Sequence, residues 1–328
     1  MEQAAIPSNL PNRLRHVALA FAAAASFLCL PAWASDAGPR VVTSIRPLHG
    51  LVAAVMAGVG KPDLLVSGAQ SPHHYSLTPS AARRLQRADV IFVTGLGLMP
   101  GLERAMHAVA AKAHIFDLSS TPGLELLEQR DLGRRKLDAK HGDHGHDDQD
   151  HRHEHMVRDP HYWLDPSNAK VMAAAIAAAM STADRAHSRT YAANAAALSK
   201  DIDRLTEEAA RALAPLRNRP FMVYHDAFQY LEKRFGLNGL GAIALTPETA
   251  PGAAHMRTTQ HTISGLNGFC IFTEPGARPR LVETLISGTN TRVGILDPLG
   301  TQMESGPTHY IAMTSANISA MVECLSGD

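Results

Sequence analysis

From residue 41 the chain alternates short β-branched runs with helix-forming runs, and it does so in two series separated by one long helical stretch. The first series reads as strands at 41–45, 63–67, 90–94 and 114–118, with helices at 49–57, 79–87 and 102–111 between them and an alanine-rich helix at 167–181 closing it. Residues 184–213 carry neither Pro nor Gly and form one long helix ended by Pro215. The second series then places strands at 221–224, 241–245, 270–273 and 293–296, with helices at 230–235, 258–266, 278–287 and 309–325. Strand, helix, strand at this rhythm means parallel pairing, because a parallel neighbour requires a crossover of helical length. The expected fold is therefore α/β, with two similar lobes, each a mostly parallel sheet flanked by helices, joined by one long helix. The expected divisions are a signal peptide at 1–34, a first lobe at 35–183, a linking helix at 184–214 and a second lobe at 215–328.

The signal peptide rests on Arg13 and Arg15, the apolar run 17–30, and Ala32-Trp33-Ala34 in the small-x-small pattern of a cleavage site. It predicts an exported, periplasmic protein. The apolar run is too short to span a bilayer, and no other stretch approaches the length needed. Across 328 residues, 31 basic side chains balance 31 acidic ones, which argues against nucleic acid as a partner.

Chemistry concentrates in histidines. The tract 141–155 sets His141, His144, His146, His151, His153 and His155 among Asp143, Asp147, Asp148, Asp150 and Glu154, with almost nothing apolar to bury. Such a segment cannot fold as a core element, and its imidazoles and carboxylates suit a loose, exchangeable set of ligands for a divalent transition metal. Three other histidines stand in rigid, strongly punctuated loops just after strands. His73 lies in Ser71-Pro72-His73-His74-Tyr75, His161 between Pro160 and Pro166, and His225 in Tyr224-His225-Asp226. Asp297, in Leu296-Asp297-Pro298, is a fourth candidate at a strand end. In open parallel sheets ligands bind outside the carboxyl ends of strands, so facing lobes would gather these groups in one cleft. Three neutral imidazoles with one carboxylate or water make a four-coordinate site that suits zinc.

At these residues the chain resembles the ZnuA family, the zinc-binding substrate-capture proteins of ABC importers within the metal-binding solute-binding proteins. The resemblance covers nearly all of the chain after the signal. It rests on PHHY followed by SLTPSAARRLQRADV, on HYWLDP, VYHDAFQYLEKRFGL, TPETAPG, FTEPGARP and GILDPLG. It implies two α/β lobes joined by a long, fairly rigid helix, Zn(II) as transported ligand held in the cleft by His73, His161 and His225, and a His- and acid-rich loop at 141–155. It also implies delivery to the membrane permease of a zinc ABC importer by a binding protein, not an enzyme, and a monomer is expected. Two departures bear on the site. Pro72 stands where some zinc members carry an acidic residue, leaving the fourth position between Asp297 and water, and His74 adds an imidazole beside the first ligand.

Two other functions fit parts of the pattern. A manganese or iron carrier of the same architecture tends to have a carboxylate where this chain has His225, and hard cations prefer oxygen. A zinc hydrolase would also use three histidines and an open position, but the chain carries no HExxH helix. Cys29 leaves with the signal, so Cys270 and Cys324 remain as an even pair in an oxidising compartment and are expected to be bonded.

Overall fold

The computed structural model describes residues 38–130 and 157–327, apart from 69, 245, 267 and 278. The expected signal peptide and the histidine tract 141–155, with its six histidines, lie outside the described residues.

Two four-stranded parallel sheets carry the fold. The first contains β1 (Val41–Thr43), β2 (Asp63–Leu64), β3 (Val90–Val93) and β4 (His114–Asp117), in the order β2-β1-β3-β4. The second repeats that order one for one as β6-β5-β7-β8, with β5 (Phe221–His225), β6 (Gly239–Ala244), β7 (Cys270–Thr273) and β8 (Arg292–Ile295). Among the described residues, the six pairings between these strands are all parallel. Central strands read as they should when helices cover both faces: every residue of β3 and of β5 is buried, with no polar alternation.

The helices are set by local signals. Pro opens α2 (Pro79–Arg87), α3 (Pro100–Val109), α4 (Pro166–Ala183) and α8 (Pro279–Ile286), where its missing N–H costs nothing. Asp165 caps α4 by accepting from the Ser167 N–H at 2.8 Å. Gly236, in the left-handed conformation, ends the short helix α6 (Gln229–Phe235).

The long helix α5 spans Ser188–Leu213, about 39 Å at the usual rise. It begins four residues later than its composition suggests. Asp184 takes hydrogen bonds from the His187 ring at 2.7 Å and the Tyr191 hydroxyl at 2.8 Å, closing a 3-10 turn at Arg185–His187 in front of it. Tyr191, Ala195, Leu198, Ile202, Leu205, Ala209 and Leu213 recur every three or four residues and form its buried stripe. That stripe packs among α4, α1 (Arg46–Val55) and α9 (His309–Ser326), so helices from both lobes share a middle layer. Asn194 adds a tie by donating to the Val55 and Ala57 carbonyls at the end of α1, both at 2.9 Å.

One hydrophobic core runs from the first sheet through this middle layer into the second lobe. The outer face of the second sheet has its own smaller core, in which Met222, Tyr224, Ile271 and Phe269 pack with Ile263 of α7 (Ala253–Ser264) and Val282 and Leu285 of α8. Cys270 at the start of β7 and Cys324 near the end of α9 have Cα atoms 6.1 Å apart with their sulfurs at bonding distance, the geometry of a disulfide.

Candidate metal centre

The carboxyl ends of the two sheets face one cavity. His225 is the last residue of β5 and Glu274 follows β7 directly, so the second lobe's contribution falls between neighbouring strands whose connections leave in opposite directions. The first lobe contributes from connections after its edge strands. His73 sits on a 3-10 turn, Pro72–His74, after β2, and His161 immediately precedes another, Tyr162–Leu164, beyond β4.

The three rings meet. Their centroids are 5.4 Å apart for His73 and His161, 5.1 Å for His73 and His225, and 4.8 Å for His161 and His225. One ring nitrogen from each lies within 4.8 Å of the others. A tetrahedral zinc with bonds near 2.1 Å separates its nitrogens by about 3.4 Å, so a modest inward movement would close the set around an ion.

Two of these rings are aimed by carboxylates. Nδ1 of His161 donates to Asp159 Oδ1 at 2.7 Å, and the His161 backbone N–H donates to the same oxygen at 2.9 Å. Nδ1 of His225 donates to Glu274 Oε1 at 3.0 Å. A carboxylate on Nδ1 places the hydrogen there and leaves Nε2 with a free lone pair, the arrangement typical of metal-ligating histidine. The Nε2 atoms of both His161 and His225 are buried and have no hydrogen-bond partner. A buried polar atom left unpaired costs of order 1–3 kcal/mol, and a metal bond would remove that cost.

The electrostatics are uneven around the ring. Burial, then the neighbouring His161, His225 and His74, push the His73 imidazole down to about 2, so it stays neutral and ready to coordinate. Burial also disfavours a charged His225, but the charge and hydrogen bond of Glu274, with Asp226 and Asp159 beyond, prevail and raise its pKa. Burial would raise Asp159, yet the His161 ring and the hydrogen bonds it receives hold it below the usual carboxylate value.

Asp297 lines the same cavity but stands outside the histidine cluster. Its Oδ1 accepts from the Leu299 N–H at 3.0 Å, and its Oδ2 accepts from the Thr301 N–H and hydroxyl, both at 2.6 Å. Those bonds bind the carboxylate into its own turn. Trp163, fully buried and 5.3 Å from the His161 ring, seats that turn by donating from Nε1 to the Pro298 carbonyl at 2.9 Å. His74 is not part of the three-ring cluster, its side chain 65% exposed and 3.5 Å from Glu248. Asp159 and Glu274 are candidate functional residues that the sequence pattern did not single out: Asp159 stands two residues before His161, and Glu274 lies inside FTEPGARP at a strand end.

Comparison with known proteins agrees with this architecture. A family model described as zinc-uptake complex component A, periplasmic (ZnuA), matches residues 41–324. The high-affinity zinc uptake system protein ZnuA of Brucella suis is 39% identical, the match covering 92% of this chain and 97% of the relative. That of Paracoccus denitrificans is 35% identical over 96% of this chain and all of the relative. Among solved structures, a Zn(II)-bound variant of Streptococcus pneumoniae AdcAII is 26% identical with a TM-score of 0.71, covering 88% of this chain and 98% of that one. The manganese-bound binding protein FpvC of Pseudomonas aeruginosa shares the fold, with a TM-score of 0.73 at 19% identity over 88% of this chain and 98% of that one. With the family model spanning both lobes and relatives above 30% identity along almost the full length, the chain belongs to the ZnuA family.

Proposed function

We propose that this chain captures Zn(II) in the cleft through His73, His161 and His225 and presents it to the membrane permease of an ABC importer. It does so as a binding protein without catalytic turnover. The observation that carries this reading is the pair of buried, unpartnered Nε2 atoms of His161 and His225, converging with His73 on one cavity. The donor set favours zinc over manganese or iron, because three imidazoles are borderline ligands and the nearest carboxylates orient rings or close turns. The fold itself does not discriminate, since a manganese-bound protein shares it. The fourth position falls to water, because Asp297 is occupied by Leu299 and Thr301.

The remaining parts of the reading follow from export. Residues 1–34 act as a signal that sends the chain to the periplasm, leaving a first lobe at 35–183, a linking helix at 184–214 and a second lobe at 215–328. Cys270 and Cys324 are bonded there. The tract 141–155 supplies further, weaker metal sites, because its composition offers almost nothing apolar that could hold its imidazoles in place around an ion. The protein works as a monomer. Chelator-competition titrations with zinc and with manganese, on the full chain and on a form lacking 141–155, test this reading. One tight zinc that survives the deletion and outcompetes manganese is expected, and a site that prefers manganese, or vanishes with the tract, would overturn it.

A further inference from the structure

The support behind His161 comes from the wrong side of the cleft. His161 belongs to the first lobe, and its ring is aimed by Asp159, a side chain only 1% exposed. A buried carboxylate has to be fully hydrogen-bonded to be tolerated. The donor to Asp159 Oδ2 is the Gln229 side-chain amide, and the donor to the Asp159 backbone carbonyl is the Tyr230 hydroxyl, at 2.8 Å. Both are the opening residues of α6, in the second lobe. The same two side chains grip the adjacent first-lobe segment: Gln229 Nε2 donates to the Glu128 carbonyl at 3.1 Å, and the Leu127 N–H donates to the Tyr230 hydroxyl at 2.9 Å. His225 has no such dependence, because its carboxylate, Glu274, sits in its own lobe.

We propose that Gln229 and Tyr230 are positioning residues that make the aim of His161 conditional on docking of α6 against the first lobe. While α6 is docked, Asp159 is saturated and holds the His161 ring with Nε2 toward the ion. When the lobes part along this edge, Asp159 loses two of its donors, and the hold on His161 loosens with it. Zinc release and lobe separation are thereby linked, and by reciprocity a bound ion strengthens the docking of α6. The proposal rests on the reading of the cleft as a zinc site.

The test uses the full chain with Gln229→Leu, Tyr230→Phe, and Lys233→Ala as a control. Lys233 pairs with Glu125 across the same interface but on its exposed rim. Zinc dissociation into excess chelator is followed by stopped flow, and the visible spectrum of the Co(II)-loaded protein reports ligand geometry. Losing an outer-shell partner typically weakens a metal site about 10–100-fold. Gln229→Leu and Tyr230→Phe are therefore each expected to speed release by about tenfold and to alter the Co(II) bands, while Lys233→Ala changes neither. Tyr230→Phe removes one oxygen atom and keeps the assay informative should Gln229→Leu fold poorly. Wild-type release rates and spectra in Tyr230→Phe, or an equal acceleration in Lys233→Ala, would overturn the inference while leaving the zinc site standing. A wild-type cleft that takes up no zinc would remove the functional reading and this proposal together.

Discussion

His161 and His225 are buried rings whose Nδ1 atoms rest on carboxylates, whereas His73 stands on a short turn at the cavity edge with no hydrogen bond to its ring among the described residues. The first two are aimed before any ion arrives. The third is kept neutral by burial and by its neighbours, and its direction is set only by the Pro72–His74 turn and by contact with the other rings. Preorganisation is thus distributed unevenly. If the three rings hold zinc as proposed, two of them would contribute little reorganisation cost and the third would adapt to the ion, a workable compromise for a carrier that must also let go.

Substitution of the ligands themselves should have the largest effect. His161→Ala or His225→Ala removes a preaimed donor and should weaken zinc binding by more than the roughly 10–100-fold expected for an outer-shell partner, measured by chelator competition. If His73→Ala were equally damaging while His161→Ala was mild, the contrast drawn between the rings would be reversed.

Next in size come the carboxylates. Glu274→Leu should weaken zinc about 10–100-fold through the loss of the bond that fixes the His225 tautomer. An unchanged affinity would mean that His225 needs no support.

Acidity sharpens the same comparison. Zinc requires unprotonated imidazole, so a proton on any ligand competes with the ion. With its pKa near 2, His73 offers no competition, whereas the raised pKa of His225 makes it compete from a pH above the ordinary imidazole value of 6.5 downward. Affinity should therefore begin to fall before pH 6.5 is reached, and Glu274→Leu should move that onset to lower pH. For the metal-free fold the sign is opposite. A raised folded-state pKa contributes stability that is fully present below the unfolded value of 6.5 and is lost as pH rises through the folded one. Thermal melts of metal-free protein across this range provide the check.

The smallest effects on zinc should come from groups away from the rings. Cys270→Ser should lower stability by about 2–4 kcal/mol, the range usual for a bond closing a loop of this size, with little change in affinity. His74→Ala should alter affinity least of all, since an exposed pair such as His74 with Glu248 contributes about 0–1 kcal/mol. A large loss in His74→Ala would place that ring among the ligands.

Much of this was legible before folding was considered. The apolar run of β3, and that of β5 up to His225, announce buried parallel strands, and the repeated order of the two sheets follows from the repeated rhythm of the sequence. His73, His161 and His225 stood out as candidates because each is a histidine in a strongly punctuated segment, although His225 proves to be the last residue of β5 rather than part of the loop after it. What escaped is what depends on side chains meeting in space. Asp159 and Glu274 look like ordinary loop acids until β7 places Glu274 beside β5 and the Asp159–His161 turn closes on itself. Asp297 has the strand-end position of a candidate ligand, and what the sequence could not show is that the turn it starts engages both of its oxygens. The late start of α5 has the same origin, since Asp184 finds His187 and Tyr191 only once that turn has formed.

The central claim is that three imidazoles, two of them preaimed, form the tight site. It is tested most directly by calorimetric titration of zinc into a chain lacking 141–155 and into the same chain carrying His73→Ala, His161→Ala and His225→Ala. One tightly bound zinc in the first and none in the second is the predicted result. Equal tight binding by both would contradict it.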